Sequence, residues 1–506
     1  MSNQYLQYFT DPGIVELALK PISHEECRTI IDPAMGDGAF LRQCKQIWPK
    51  AIIFGVDLDR SLVEKLRSEF RFSDHLIAGN SLYDDTFHKG KMKQIVQQGG
   101  FDLVVGNPPF SRQLISDQTL LRIFEIVGPP RDDRYPGQSC EVLFVEQFLK
   151  LCKPGGYIVI VLPNGLLCNT RDLPVRKFIL ERTDLLEVLN VPSSIFNGTD
   201  ARTAVLILRK KKRISGIISP RTVKLRNLEK QPSGLSLNGY ITIEQRRLLE
   251  RMDYNFHNPS FVQLVMPHGK SVVIKPLSQL VSQIVRGHTE YGARRKFSKR
   301  GGLRYISSKT ITATGVDFTK ELRYVRPGSA MDRVTARVKR HNLLFVRVGD
   351  GCIGRVTVIR DKGDAGIAND CIFIIKTKGI SPYYVALILQ STYGKQWLER
   401  LGQHSTGAKN ISKKYLLQCP IPIVRDEKAR NNLVRKYQRS VLDLHLRGLA
   451  EGLNGDQQSY RKLDFKAKQN LVMLLNMLDG MIASSGTSAG GGRVRVRKQG
   501  ATRVTS

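Results

Sequence analysis

A chain of 506 residues is too long for one hydrophobic core and is expected to divide into two to four domains. Its 79 lysines and arginines face 45 acids, a net charge of +34 with 41% apolar residues, so ordinary cores sit inside a surface suited to a polyanion, nucleic acid ahead of membrane or acidic protein. Eight scattered cysteines without a C-x-x-C pair argue against structural zinc or any metal, and the absence of a signal peptide or a run of ~20 apolar residues points to a cytoplasmic protein with no membrane span.

In chain order, short apolar strands are expected at 29–31, 52–56, 76–78, 103–105, 157–161 and 204–208. Helical segments fit between them, among them 60–70 and 141–152, the latter stopped by Pro154-Gly155-Gly156. This alternation is the mark of a mostly parallel α/β sheet covered on both faces. The first domain is drawn over 1–213, its edge at the basic run Arg209 to Arg213, which reads as a solvated charge cluster. Residues 214–268 carry weaker signals and are expected to connect to a mixed α+β domain over 269–425. A helical segment follows over 426–480, whose Leu433, Tyr437, Val441 and Leu444 would dock on a neighbour or pair as a coiled coil. Residues 481–506, with Gly490-Gly491-Gly492 followed by Arg493, Arg495, Arg497 and Lys498, are expected to be a disordered basic tail.

The ends of the first four strands carry the chemistry. Asp32-Pro33-Ala34-Met35-Gly36-Asp37-Gly38 follows the first strand, and Gly36 and Gly38 allow backbone to approach a ligand closely. The spacing is neither G-x-G-x-x-G nor a P-loop, which disfavours dinucleotides and nucleoside triphosphates. Asp57 ends the second strand, where an acid can accept both hydroxyls of a ribose. Asn80 and Ser81 end the third, where an amide can read the edge of a purine. Strand 101–106 runs into Asn107-Pro108-Pro109-Phe110. Two prolines fix the turn, the Asn107 amide oxygen and Pro108 carbonyl offer two acceptors to a planar amine, and Phe110 can stack on the ring that bears it. Asn-Pro-Pro by itself is equally a proline-rich loop, and an aspartate after a strand is usually a turn residue or helix cap. Four such ends in succession favour a shared pocket.

Residues 8–210 resemble the catalytic domain of S-adenosylmethionine-dependent DNA methyltransferases that modify the exocyclic amine of adenine, in the gamma order with cofactor motifs first and target recognition last. The resemblance implies a Rossmann-like fold with S-adenosyl-L-methionine as cofactor and no metal. It further implies cofactor contacts from Thr10, Asp32, Pro33, Gly36, Gly38, Asp57, Asn80, Ser81 and Asn107, and catalysis by Asn107, Pro108, Pro109 and Phe110. Asp11 stands where the family's Thr-Pro motif region has proline, and Asn80 where aspartate is more usual. Residues 140–146, 153–157, 162–165 and 195–199 are also similar to family motifs, and Phe196 is implied as a second ring stacking on the target base, a loop or core phenylalanine being the alternative.

Residues 270–425 resemble the target-recognition domains of type I restriction-modification specificity subunits, through pieces such as 277–281, 343–347, 367–370 and 405–411. Arg294, Arg295, Lys296, Lys299, Arg300 and Arg340 lie between these pieces and suit contacts to the DNA backbone. The expected function is therefore site-specific N6-methylation of a flipped adenine in double-stranded DNA, with any restriction endonuclease encoded separately, since the chain leaves no room for a nuclease ahead of residue 8. Monomer and dimer stay open. The alternatives are an RNA or protein-glutamine N-methyltransferase of the same fold, or a non-catalytic DNA-binding specificity protein.

Overall fold

The computed structural model describes residues 10–69, 75–110, 114–127, 137–191, 202–231, 234–258, 271–349, 351–405 and 408–483. Two compact units emerge, built mainly from the described residues up to 257 and from 258 onward. Expectations for Tyr8, Phe9, Phe196 and the basic tail from 484 fall outside the described residues.

The first unit is organised by one nine-stranded sheet. Its strands are β1 (Thr29–Asp32), β2 (Ile52–Asp57), β3 (Leu76–Ala78), β4 (Phe101–Gly106), β7 (Cys152–Pro163), β8 (Thr183–Val191), β9 (Thr203–Lys210), β10 (Thr222–Gln231) and β11 (Gly234–Glu244), while β5 (Leu114–Ile115) and β6 (Gln138–Ser139) pair separately. The spatial order is β11-β10-β8-β9-β7-β4-β1-β2-β3, with β3, β2, β1, β4 and β7 mutually parallel and β9 antiparallel to both neighbours. This is a Rossmann-like sheet. Successive strand residues feed opposite cores: Ile31, Phe54, Val104 and Ile158 enter one, and Ile30, Ile53, Leu103 and Val159 the other. Burial on both faces explains why these strands read as continuous apolar runs. Helices α1 (Pro12–Leu19), α2 (Ala39–Ile47) and α3 (Arg60–Glu69) contribute to the second core, and α6 (Cys140–Leu151) and α8 (Leu173–Arg182) to the first; α4 (Gly90–Gln97), α5 (Gln118–Arg122) and α7 (Asn164–Cys168) complete the unit's longer turns.

Two expectations need correction. Residues 214–268 do more than connect: β10 pairs in parallel with β8 and forms an antiparallel hairpin with β11, so the unit extends to 257 and not 213. The basic run at 209–213 is only partly solvated. Lys210 Nζ donates to the carbonyls of Leu149 and Cys152, and Lys211 Nζ to those of Leu180 and Glu181. These carbonyls close the C-termini of α6 and α8, where ammonium groups satisfy the last acceptors and the helix dipole.

In the second unit, an antiparallel sheet runs 281–286, 372–377, 343–346, 356–358 in spatial order, a smaller sheet joins 324–325, 303–306 and 367–368, and 272–276 pairs with 420–424. Helices Glu427–Tyr437, Asp443–Leu453 and Gln457–Ala483 belong to this unit. Leu433, Tyr437, Val441 and Leu444 are buried inside it, not held out for a neighbour. The helices are anchored on the strands by Arg360 Nε to Asp443 Oδ1 (2.7 Å), Tyr460 Oη to Asp317 Oδ2 (2.7 Å) and the buried His445 ring against the Val316 carbonyl (3.1 Å). The exposed apolar residues of the last helix are Phe465, Val472, Met473 and Met477.

Candidate active site

A cavity of about 290 Å³ opens at the carboxyl ends of β1, β2, β3 and β4. β1 and β4 are adjacent while their crossovers run to opposite sides, so the cavity sits at the sheet's topological switch point, where ligands bind in open α/β folds. Pro33, Gly36, Asp57, Asn80, Ser81, Asn107, Pro108, Pro109 and Phe110 all line it.

The turn after β1 is shaped by hydrogen bonds from its own backbone. Asp32 Oδ1 accepts the Ala34 N–H (2.9 Å), and Asp57 Oδ2 reaches back from β2 to accept the Gly36 N–H (2.8 Å). Gly36 and Gly38 have φ of +52° and +82°, values that L side chains seldom adopt, and Gly38 starts α2. At the end of β4, a Cβ on Gly106 would lie 2.5 Å from Asp32 Oδ1, so only glycine lets this strand pass the buried carboxyl. Burial pushes the Asp32 carboxyl well above the usual carboxylate range, with Asp57 and Asp37 adding to the effect. Asp57 is also raised by burial, opposed by the N–H groups of Asp59 and Gly36. Its Oδ1 accepts the Asp59 N–H at 2.9 Å, so the carboxylate is fixed at both oxygens while facing the cavity.

Not every expected contact lines the wall. Asp32 and Gly38 build the turn behind it. Thr10 Oγ1 accepts a hydrogen bond from Asn107 Nδ2 at 3.1 Å, which commits the nitrogen end of that carboxamide and makes Oδ1 its acceptor end. Asp11 caps α1 by accepting the Gly13 N–H at 2.8 Å, which is what an aspartate in place of proline does here. Asn80 Oδ1 accepts the Leu82 N–H at 3.0 Å. Ser81 is 4% exposed and its Oγ has no hydrogen-bond partner among the described residues.

Sequence reasoning missed Ala34, Leu58, Gly79, Leu82, Ile115, Cys140 and Phe144, which complete the lining. Cys140 and Phe144 are four apart on α6 and so share a face, a signal present in the 140–146 motif. Among the described residues no group of three or more His, Cys, Asp or Glu side chains is placed to hold a metal ion, and no helix is long and apolar enough to cross a membrane.

Comparison with known proteins adds an independent observation: residues 2–230 match the N-6 DNA Methylase family. This segment is similar to N-6 DNA methylase domains. The chain is 24% identical over 217 residues to the type II methyltransferase M.CvrRI of Paramecium bursaria Chlorella virus XZ-6E, covering 43% of this chain and 51% of the relative. It is 25% identical over 185 residues to the type II methyltransferase M.BanIII of Aneurinibacillus aneurinilyticus, covering 33% and 30%. The chain thus spans about half, or less, of the length of these relatives. A crystal structure of a type I restriction-modification methyltransferase subunit from Streptococcus thermophilus superposes at a TM-score of 0.36 with 22% identity, covering 48% of this chain and 51% of that one. The matched segment contains the whole cavity lining and ends in β10, so it nearly coincides with the first unit.

Proposed function

We propose that this chain is a site-specific DNA adenine-N6 methyltransferase that uses S-adenosylmethionine and modifies DNA in a restriction-modification system. One observation carries the reading: the Asn107-Pro108-Pro109-Phe110 turn, its amide oriented by Thr10, shares a single cavity with a glycine turn, an acid and a polar strand end. The names of the related type I and type II enzymes agree with it.

The cavity fits the cofactor in chemical character. It is largely apolar, with an ionisable acid at Asp57 for ribose hydroxyls and a polar strand end at Asn80 and Ser81 for a polar base edge. When bound, S-adenosylmethionine supplies an electrophilic methyl group on a sulfonium. The methyl acceptor, adenine N6, is a poor nucleophile because its lone pair is delocalised into the ring. Asn107 Oδ1 and the Pro108 carbonyl, each accepting one amino hydrogen, favour a more tetrahedral nitrogen with its lone pair available. Neither is a base of useful strength at neutral pH, so the proton leaves to water after transfer. Positioning and exclusion of water supply most of the acceleration. The target base must leave the duplex to reach this turn, and stacking on Phe110, with Phe196 as a candidate second ring, offsets part of the few kcal/mol of unstacking. The second unit would read the sequence, with its exposed Arg294, Arg295, Lys296, Lys299, Arg300 and Arg340 on the DNA backbone.

Replacing Asn107 by alanine is expected to lower methyl transfer from radiolabelled cofactor to DNA by about 100-fold or more, the scale seen when one preorganised polar contact to a transition state is lost. DNA retention in a gel-shift assay should persist. Transfer at near wild-type rate would show the site to be misassigned, and modified-base sequencing of DNA from expressing cells that finds no N6-methyladenine would refute the reading as a whole.

A further inference from the structure

In the second unit, strand 281–286 ends on Arg286, and the chain then turns into the loop that carries the exposed basic residues of 294–300. The turn is held against residues 368–372, with the Gly287 N–H donating to the Ile372 carbonyl at 3.0 Å and the His288 N–H to the Ala368 carbonyl at 2.9 Å. A Cβ on Gly287 would collide with the carbonyl oxygens of Ala368 and Asn369, so only glycine lets the two segments approach this closely. Asp370 is thereby set beside Arg286. Arg286 Nε donates to the Asp370 carbonyl at 3.0 Å and Nη2 to Oδ2 at 2.6 Å, while Tyr291 Oη donates to the same Oδ2 at 3.0 Å. The Asp370 N–H in turn donates to Thr289 Oγ1 at 3.2 Å. One edge of the guanidinium is committed to an acid that is itself fixed from three sides.

The other edge is open. Nη1 and the second N–H of Nη2 meet no acceptor among the described residues, and the Arg286 side chain is 56% exposed. So exposed a pair adds little to stability, but it holds two adjacent donors in one orientation before any ligand arrives. Arg347 stands behind it, half-buried, with Nη1 on the same Asp370 carbonyl at 3.3 Å and Nη2 on Asn410 Oδ1 at 3.4 Å. Burial first, and then the Arg286 charge, pull the Arg347 pKa below its ordinary value. Two guanidiniums around one acid leave a surplus of positive charge and of donors, which suits a ligand made of acceptors. In the major groove only guanine shows two acceptors side by side, O6 and N7; adenine sets a donor beside its N7, thymine has O4 alone, and cytosine offers a donor. We propose that Arg286, positioned by Asp370 and Tyr291, reads a guanine in the recognition sequence of this chain. The assignment deepens the proposed function and rests on the second unit as the reader of DNA. It also fits the chain order, because the loop proposed for phosphate contacts follows directly and would hold the duplex in register for such a reading.

Selection of duplexes from a randomised pool by the full chain, read out by sequencing, tests this without requiring methyl transfer. The wild type is expected to enrich a motif with an invariant G·C pair. Arg286→Ala should relax that position alone, lowering its preference for guanine by about 5- to 150-fold, with the melting temperature unchanged because the lost pair is exposed. Arg286→Lys keeps the charge but not the fork, and should relax the same position while holding affinity for random-sequence DNA. The inference is overturned if the wild-type motif lacks an invariant G·C pair or if Arg286→Ala leaves the motif intact. It is equally overturned if Arg286→Ala weakens all sequences alike, or if lysine restores the motif, since both mark a phosphate contact. A wild type that selects the motif through Arg286 yet leaves no N6-methyladenine in expressing cells would support the Arg286 assignment and overturn the methyltransferase reading instead.

Discussion

Asp364 shows how much one buried carboxyl can matter. It is 2% exposed, and burial raises its pKa to about 6 despite hydrogen bonds from the Arg360 and Asp361 N–H groups, with the Asp361 charge adding to the rise. A folded-state pKa above the unfolded value near 4 means that the folded form binds the proton more tightly. The stability this group contributes is therefore fully present below about pH 4 and is lost as pH rises through about 6, about 3 kcal/mol in all. Asp364→Asn removes this titration. Urea unfolding of the second unit at pH 4, 5, 6 and 7 should show the wild type losing ground to the variant across that window and a constant difference above it; parallel profiles would refute the assignment. At the same residue scale, most of the lining of the candidate site is legible in the sequence, because glycine turns, a strand-end acid and Asn-Pro-Pro-Phe are local signals. What could not be read was the partner of each group. That Thr10 orients Asn107, or that Leu82 fixes the Asn80 amide, depends on hydrogen bonds between segments or on a turn conformation. Sequence names the side chain but not which of its ends is spent.

Arg176 has a comparable role among elements. Its guanidinium is 1% exposed in α8, and Nη1 donates to the carbonyls of Leu166 and Asn169 at 2.8 Å each, Nε to Leu249 at 3.0 Å, and Nη2 to Glu250 at 2.9 Å. One planar fork thus ties α7, its following turn and the 245–250 segment to α8. Arg176→Met fills similar volume but takes donors from four carbonyls, and should destabilise the first unit by about 3–5 kcal/mol in denaturant unfolding. Arg176→Lys should recover only part of this, since an ammonium cannot reproduce the fork; a loss under about 1 kcal/mol for the methionine variant would contradict the role. Elements buried on both faces, β1 to β4, β7 and β9, were readable as apolar runs. β10 and β11 were not, because a sheet edge alternates: Val223 and Leu225 point inward while Lys224 is exposed. β8 was lost for the same reason, its buried positions being interrupted by Asp184, Leu186 and Asn190. Helix α6 ends at Leu151, one residue before the expected stop, and the Pro154-Gly155-Gly156 stretch that follows lies within β7, where the register against β4 shifts.

For the molecule as a whole, the net charge of +34 cannot be assigned wholesale to a partner. Lys210 and Lys211 cap helix ends, Arg176 is buried, Arg251 pairs with Asp253 out of solvent, and Arg337 is held by Asp332. Removing such groups would damage the fold before it changed any binding. The loop at 294–300 is different: Arg294, Arg295, Lys296, Lys299 and Arg300 are all exposed; among the described residues only Arg294 meets an acid, Glu290 at 3.4 Å, and Arg295 rests near the Phe297 ring. If these five contact DNA phosphates, each releases condensed counterions, and the slope of log affinity against log salt carries about −0.9 for each contact. Changing all five to alanine should flatten that slope by about 3 to 4, short of the full sum because Arg294 already has a partner. The loss should be uniform across DNA sequences, since backbone contacts position without reading bases. A double substitution of Lys210 and Lys211, equal in kind but spent on carbonyls, should leave the slope unchanged while lowering the melting temperature. Filter-binding titrations between 50 and 200 mM salt separate the two outcomes; an unchanged slope in the five-residue variant would remove this loop from the proposed DNA interface.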